Sequence, residues 1–463
     1  MSTELGRAAD GPGHEAEDTL QALGYEQELK RSMSLADVVI YGLIYMVPLA
    51  PVAVFGIVYN FSSGAVVLVY VVAAIAMFFS AVSYKEMATE FPIAGSVYSY
   101  VRNGIGDFVG FISGWAILLD YLLLPALLCV FAASAMTSLV DGIPGEAWVV
   151  FFVVATVIIN VRGIDVTAKM NRIFLYIQMV TLAAFIGWSI VAIAQGQGSF
   201  SFTPIFNPDE FSWNVVFGAI PIAALSYIGF DAISTLNEEA VDGGKTTSRA
   251  TMIVLWAVTA MFIVQVYFAA AFVPKGTEFA DGDAVNNAFY NITGDVMTHW
   301  FKVVVTLVAA MIALFANTIA SNGVSARLLY SMARDGQLPK FLSKVTSRQV
   351  PANAMLFIAA LSILVGIFGV EHVALLTSLV TFGALTAYIL LHLSVLRHFI
   401  VRTKSRKYFV HLVSPVIGSA VLVYALWNAS SNAKTVGLIW LAFGCVFALG
   451  LKMKGRALAQ SDL

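Results

Sequence analysis

The sequence predicts an all-α polytopic membrane protein with twelve transmembrane helices, and three observations carry that prediction. Of its 463 residues, 59% are hydrophobic and only 12% are charged, against roughly 25% charged in soluble domains. The Lys, Arg, Asp and Glu that remain are gathered between long apolar runs. The basic residues also divide very unevenly between alternate sides of those runs. A soluble protein of this length needs a wetted surface that such a composition does not supply, so the expected partner is a lipid bilayer.

Residues 1–35 form a polar, mildly acidic entry to the chain. They lack a basic stretch followed by a short apolar core, so they read as a disordered cytoplasmic tail with one short helix at Thr19–Leu29, and not as a signal peptide. A membrane span needs roughly 20 apolar residues, because the hydrocarbon core is about 30 Å thick and a helix rises about 1.5 Å per residue. Twelve segments meet that requirement. The first six are Ala36–Tyr59, Gly64–Met87, Phe108–Val140, Ala147–Val161, Ile173–Ala194 and Trp213–Glu238. The rest are Ser248–Val273, Trp300–Met332, Asn353–Gly369, Val373–Phe399, His411–Trp427 and Thr435–Leu451. The third and eighth exceed the bilayer thickness and are expected to tilt.

With twelve spans, 23 of the 26 Lys and Arg fall on the side of the two termini, leaving Lys275, Lys302 and Lys434 on the other. The positive-inside rule then puts both termini in the cytoplasm, consistent with an inner-membrane location. No connection is long enough for an independent domain. The longest two, 195–212 and 274–299, are assigned to the outer side, and the second carries Glu278, Asp281, Asp283 and Asp295.

Several function classes lack their signals. A net charge of −2 with no basic face gives no nucleic-acid signature. Cys129 and Cys445 lie inside apolar runs, where cysteine commonly serves as a small buried hydrophobe. His392 and His411 sit at or near the inner ends of their spans without clustering, so no metal site is expected. No Gly-rich phosphate loop or Ser/His/Asp ordering occurs in the connections. Neither an enzyme nor a bound cofactor is expected.

Function must therefore sit among the helices, and the sequence marks two places where helices should break. Carriers bind solutes near the bilayer midplane, where unwound helices turn backbone groups into a cavity. The first span contains Met46-Val-Pro-Leu-Ala-Pro51, in which Pro48 and Pro51 remove two donors and crowd the preceding turns. The sixth contains Pro221, then Ser226-Tyr-Ile-Gly-Phe-Asp231. Their placement fits spans one to five recurring as six to ten in inverted topology.

Few ionisable residues lie within the apolar runs. Asp120 falls about 18 Å along the third span, near the midplane, and Asp231 lies in the second break. A bare carboxylate at that depth costs about 2.5 to 3.5 kcal/mol. It is kept where it faces a wet cavity, meets a cation or takes up a proton. A hydrogen bond to a Tyr or Ser on a neighbouring helix is the structural alternative for Asp120. Glu238 and Glu239 read as a solvated helix end. Tyr45, Tyr121, Tyr227 and Phe230 lie at or beside the breaks, where they serve packing or enclose a cationic solute, because ring faces attract ammonium groups.

Three further stretches carry a family likeness: Glu90-Phe-Pro-Ile-Ala-Gly-Ser-Val-Tyr98, Tyr227-Ile-Gly-Phe-Asp-Ala-Ile-Ser-Thr-Leu-Asn-Glu-Glu239 and Ser325-Ala-Arg-Leu-Leu-Tyr-Ser-Met-Ala-Arg-Asp-Gly336. Over nearly its full length the chain resembles the amino acid–polyamine–organocation transporters. Within that group Gly114-Trp-Ala-Ile-Leu-Leu-Asp-Tyr-Leu122 and Phe382-Gly-Ala-Leu385 look most like bacterial putrescine importers. The resemblance implies a transport core over residues 36–400, made of inverted repeats at 36–195 and 213–400, with peripheral helices in 401–463. It also implies alternating access, with substrate bound at the first and sixth helices and the third, eighth and tenth lining the pocket.

Two departures from the family pattern sharpen the expectation. Amino-acid carriers of the group usually hold the substrate carboxylate on the N–H groups of a Gly-Ser/Thr-Gly break, whereas Pro48 and Pro51 delete donors there. Many proton-coupled members place a Lys seven residues after the Asn opening the fifth helix; counting from Asn171 reaches Gln178, which cannot exchange a proton. The expected substrate site comprises Val47, Pro48, Ala50, Pro51, Asp120, Tyr121, Ser226, Tyr227, Gly229, Phe230 and Asp231. Both breaks are expected to offer backbone carbonyls. The expected partner is a small amine such as putrescine, with an amino acid as the rival. Asp231 and then Asp120 are the candidates for proton coupling, and Thr318 with Ser321 gives a weaker case for sodium.

Overall fold

The computed structural model describes residues 32–453 except 92, 94–95, 138, 141, 163–164, 238, 311–314, 335, 337 and 346–350; at 161–162, 165–171, 283, 316, 374 and 451–453 it describes the backbone alone. The expected tail up to residue 31, its short helix, the expectation for Glu238 and the side chain of Asn171 lie outside these residues. Every regular element described is helical; the only β-type pairing among the described residues is an isolated parallel bridge between Met33 and Ala240.

Helix α1 (Leu35–Met46) begins at a capping box, in which the Ser34 hydroxyl accepts from the Asp37 N–H while Asp37 accepts from the Ser34 N–H. It stops at Val47, whose φ of 52° is one that a β-branched residue rarely adopts. The cause is local: the residue before a proline is pushed out of the helical region, and Pro48 follows. A 3-10 turn at Ala50–Ala53 and helix α2 (Phe55–Phe61) complete the interrupted first segment.

Then come α3 (Val66–Glu90), the short buried α4 (Ser96–Gly104), α5 (Asp107–Thr137), α6 (Gly145–Arg162) and α7 (Asp165–Ala194). The sixth segment is α8 (Trp213–Leu225), irregular turns over 226–230 and a 3-10 stretch at Asp231–Leu236, so it is interrupted where Gly229 takes a φ of 123°. Helix α9 (Gly244–Ala270) follows. Short helices α10 (Asp283–Asn286) and α11 (Ala288–Val296) lie within the connection 274–299. The eighth segment, expected as one tilted helix, is described as α12 (His299–Leu307), helical as far as Ala310, and then α13 (Phe315–Arg334). Next are α14 (Ala352–Gly369), α15 (Val373–Val395), α16 (Ser414–Asn428) and α17 (Ser431–Met453).

Nine helical segments among the described residues are long and apolar enough to cross a membrane. The shorter apolar helices Gly145–Asn160, Trp213–Leu225 and His299–Ala310 correspond to the fourth, sixth and eighth predicted segments. Burial ranks them: 89% of the most apolar stretch of α5 is enclosed by protein against 22% of that of α17, so α5 is the central post and α17 lies outside. The two are fastened by a reciprocal pair of bonds. Trp115 Nε1 donates to the Trp440 carbonyl (2.9 Å), Trp440 Nε1 donates to that of Trp115 (2.7 Å), and the rings stack 4.6 Å apart. On another side of α5, a Cβ on Gly383 of α15 would lie 2.6 Å from the Ala116 carbonyl oxygen and 3.0 Å from the Asp120 N. That close approach sets α15 against α5 at the level of Asp120.

Candidate functional site

The two interruptions touch. A Cβ on Gly229 would fall 2.5 Å from Tyr45 Cδ1 and 3.4 Å from the Tyr45 carbonyl oxygen, and one on Gly42 would fall 2.6 Å from Ile233 Cδ1. The end of α1 therefore lies against the second break because both contact points lack side chains. Every residue expected at the site is buried except Ala50, which is half-buried.

The second break is organised around Asp231. Tyr121 of α5 donates its hydroxyl to Asp231 Oδ2 (2.6 Å), and Tyr388 of α15 donates to Oδ1 (3.0 Å). The Gly229 N–H, set free by the irregular turn, reaches Oδ1 at 3.2 Å. The helix-to-helix bond to a tyrosine that was raised for Asp120 is thus realised at Asp231. Asp120 is fully enclosed, and neither of its carboxylate oxygens has a hydrogen-bond partner among the described residues. The Tyr45 hydroxyl is likewise buried and, among the described residues, unpartnered. Asp120, Asp231 and Tyr45 are close enough to act on one another electrostatically.

The breaks differ in what their backbones leave available. In the first, the N–H groups of Val47, Ala50, Val52 and Val54 donate to the carbonyls of Leu43, Val47, Leu49 and Pro51. The Pro48 carbonyl accepts from Gln265 Nε2 at 2.9 Å. The expectation that Val47–Pro51 offers free carbonyls is therefore corrected: compact 3-10 bonding and Gln265 already engage those of Val47, Pro48, Leu49 and Pro51. In the second break, no hydrogen bond among the described residues reaches the carbonyls of Ser226, Tyr227 or Ile228.

The aromatic residues sort into two groups. Phe230, Tyr84 and Tyr388 pack with centroids 5.3 to 5.7 Å apart, forming a three-ring cluster beside Asp231. Tyr227 instead anchors to the wall: its hydroxyl donates to the Tyr70 carbonyl (3.1 Å), and its ring packs on Phe262 and Tyr70. Ser226 Oγ shares a 3.1 Å hydrogen bond with the Tyr70 hydroxyl. Sequence reasoning missed Tyr84 and Tyr388. For Tyr388 a signal existed, since it falls three residues after Leu385 on the helix carrying Phe382–Leu385, and positions three apart share a face.

Three other residues acquire definite surroundings. Gln178 is buried, with Oε1 unpartnered among the described residues. Ser321 Oγ donates to the Thr318 carbonyl (3.1 Å), a bond within its own helix. Glu239 is not the solvated helix end expected. Its carboxylate lies 3.4 Å from Arg327 of α13, and its carbonyl accepts from the N–H groups of Ser32 and Met33 at 2.9 and 3.0 Å. Segments far apart in sequence meet there, and no periodicity announces it.

An all-helical bundle in which two interrupted membrane helices meet at buried carboxylates defines a multi-pass membrane transporter. Residues 33–451 match the amino acid permease family. The chain belongs to that family, and it is a permease and not an enzyme. It is 32% identical to the low-affinity putrescine importer PlaP of Escherichia coli K12 over 91% of this chain and 93% of that one. It is 27% identical to the branched-chain amino acid permease BcaP of Lactococcus lactis over 86% and 89% of the two chains. It is 26% identical to the methylthioribose transporter of Bacillus subtilis over 92% and 94% of the two chains.

Proposed function

We propose that this permease imports putrescine or a similar small amine across the cytoplasmic membrane by alternating access. The observation that carries this reading is Asp120, enclosed by protein with both carboxylate oxygens unpartnered among the described residues. An acid kept at that depth without a partner is suited to a cation that arrives with the substrate. An ammonium group has three N–H donors and no acceptor. Asp120 on α5, the Tyr45 hydroxyl at the end of α1 and the open carbonyls of Ser226, Tyr227 and Ile228 in the second break supply the acceptors. The rings of Tyr84, Phe230 and Tyr388 suit an alkyl chain or a second cationic end.

The two acids then take different parts. Asp120 contacts the ammonium, while Asp231, bound by Tyr121, Tyr388 and the Gly229 N–H, holds the second break to α5 and α15 and adds negative potential. The substrate site also includes the backbone around Val47, Pro48, Ala50 and Pro51, chiefly as shape. Likeness to BcaP supports an amino acid as the rival substrate. The first break weighs against it, because two prolines and four internally bonded amides leave little for an α-carboxylate.

The wider architecture belongs to the same proposal. Twelve spans form inverted repeats at 36–195 and 213–400 with peripheral helices beyond 400, and both termini are cytoplasmic. Asp231 or Asp120 exchanges a coupling proton. The membrane potential contributes further, at about 2.3 kcal/mol per charge per 100 mV. Uptake of labelled putrescine into proteoliposomes tests the substrate. Unlabelled putrescine and a monoamine should compete, arginine and alanine should compete poorly, and Asp120→Asn should lose uptake. Strong competition by alanine with none by a monoamine would transfer the assignment to amino acids. Wild-type uptake by Asp120→Asn would remove that acid from the site.

A further inference from the structure

We infer that the turn between α15 and α16, residues 396–413, is a docking surface for the phosphate headgroup of an anionic phospholipid. Five basic residues, Arg397, Arg402, Lys404, Arg406 and Lys407, are all exposed there, and the segment contains no Asp or Glu. Among the described residues, none of the five is within ion-pair distance of a carboxylate. Two carboxylates of α3 do reach the segment, but histidines take them up. His411 Nε2 lies 3.0 Å from Glu86, and His398 Nε2 lies 3.2 Å from Glu90. The nearby Lys85 also faces Glu86, at 3.9 Å. Among the described residues the five cations therefore have no carboxylate partner.

The turn is built to hold its shape. It runs between two π-helical stretches, Leu396–Arg402 and Phe409–Val413. The Thr403 N–H donates to the His398 carbonyl (2.9 Å) and the Ser405 N–H to that of Phe399 (2.7 Å), with Lys404 between them at a φ of 52°. The Ser405 hydroxyl is 2.7 Å from His411 Nδ1, and the Phe399 and His411 rings stack at 4.0 Å. The histidines thus fasten the base of the turn to α3 while the cations point outward.

Apolar side chains stand beside the cations. Val401, Tyr408 and Phe409 are 70%, 59% and 65% exposed, although each adjoins or lies close to a basic residue in the chain. Exposed aromatic residues next to exposed cations match the level of lipid headgroups, where rings settle at the interface and ammonium or guanidinium groups meet phosphate. A soluble phosphate would satisfy the charge but give Tyr408 and Phe409 nothing to bury against. The lipid is therefore the occupant that fits both features.

The test uses the full-length protein in a neutral detergent, with phosphatidylglycerol, phosphatidylcholine or soluble glycerol phosphate as the probe and thermal denaturation as the readout. Phosphatidylglycerol should raise the melting temperature and the other two should not. Arg402→Gln/Lys404→Gln/Arg406→Gln/Lys407→Gln should lose at least half of that shift. Arg249→Gln/Lys340→Gln/Lys344→Gln, which removes exposed cations elsewhere, should keep it. A full shift in the first variant, or equal shifts with phosphatidylcholine or glycerol phosphate, would overturn the inference. If the first variant does not fold, the wild type decides: high salt should abolish its response to phosphatidylglycerol by screening, and a salt-insensitive response overturns the inference.

Discussion

The two interrupted helices solve the same geometric problem with different chemistry. Around 47–54 the chain is broken by Pro48 and Pro51, and the polar groups released are largely recaptured by 3-10 bonds and by Gln265. Around 226–231 it is broken by Gly229, and Asp231 is gripped from α5 and α15 while three carbonyls remain open. Proline removes donors and closes the turn on itself; glycine permits a conformation that leaves groups facing outward. In the proposed site the first break therefore serves mainly as a wall, and the second supplies the polar groups.

The largest expected effect comes from altering the glycine on which the second break depends. Gly229→Ala puts a side chain at a φ of 123° and a Cβ 2.5 Å from Tyr45. Strain and overpacking together should cost roughly 2 to 6 kcal/mol, read as a large fall in melting temperature and loss of uptake. A tolerated alanine breaks the comparison outright. Tyr388→Phe should matter less. It removes one hydrogen bond to a carboxylate, about 1.5 to 3 kcal/mol, and because the phenol positions Asp231 it should raise KM about tenfold or more while the protein still folds. An unchanged KM would reduce Tyr388 to packing. Gln265→Leu should have the smallest effect. The Pro48 carbonyl loses its side-chain donor, costing about 1 to 2 kcal/mol of stability, with substrate affinity nearly unchanged. A marked affinity loss would make the first break a direct contributor to binding.

The difference between the breaks also marks how much the sequence discloses. Pro48, Pro51 and Gly229 are legible because proline and glycine act on their own backbone, so their effect is local. Asp120 and Asp231 are legible because an acid inside an apolar run stands out whatever surrounds it. Which acid is bonded is not legible, because that depends on Tyr388, 157 positions beyond Asp231. Likewise Glu239 looks like a wetted helix end until Arg327 is seen beside it. The mixed polarity of 274–299 conceals the short helices α10 and α11, whose apolar faces are too brief to establish a period.

The indole exchange between Trp115 and Trp440 bears on how the chain matures. The partners lie 325 residues apart, and each ring nitrogen depends on the other's main chain. During synthesis Trp115 enters the membrane 325 residues ahead of Trp440, and its N–H waits for this acceptor until that later helix emerges. The later helix is thus the clasp for the earlier one, and chains cut short before α17 would leave the bundle's central column unfastened on that flank.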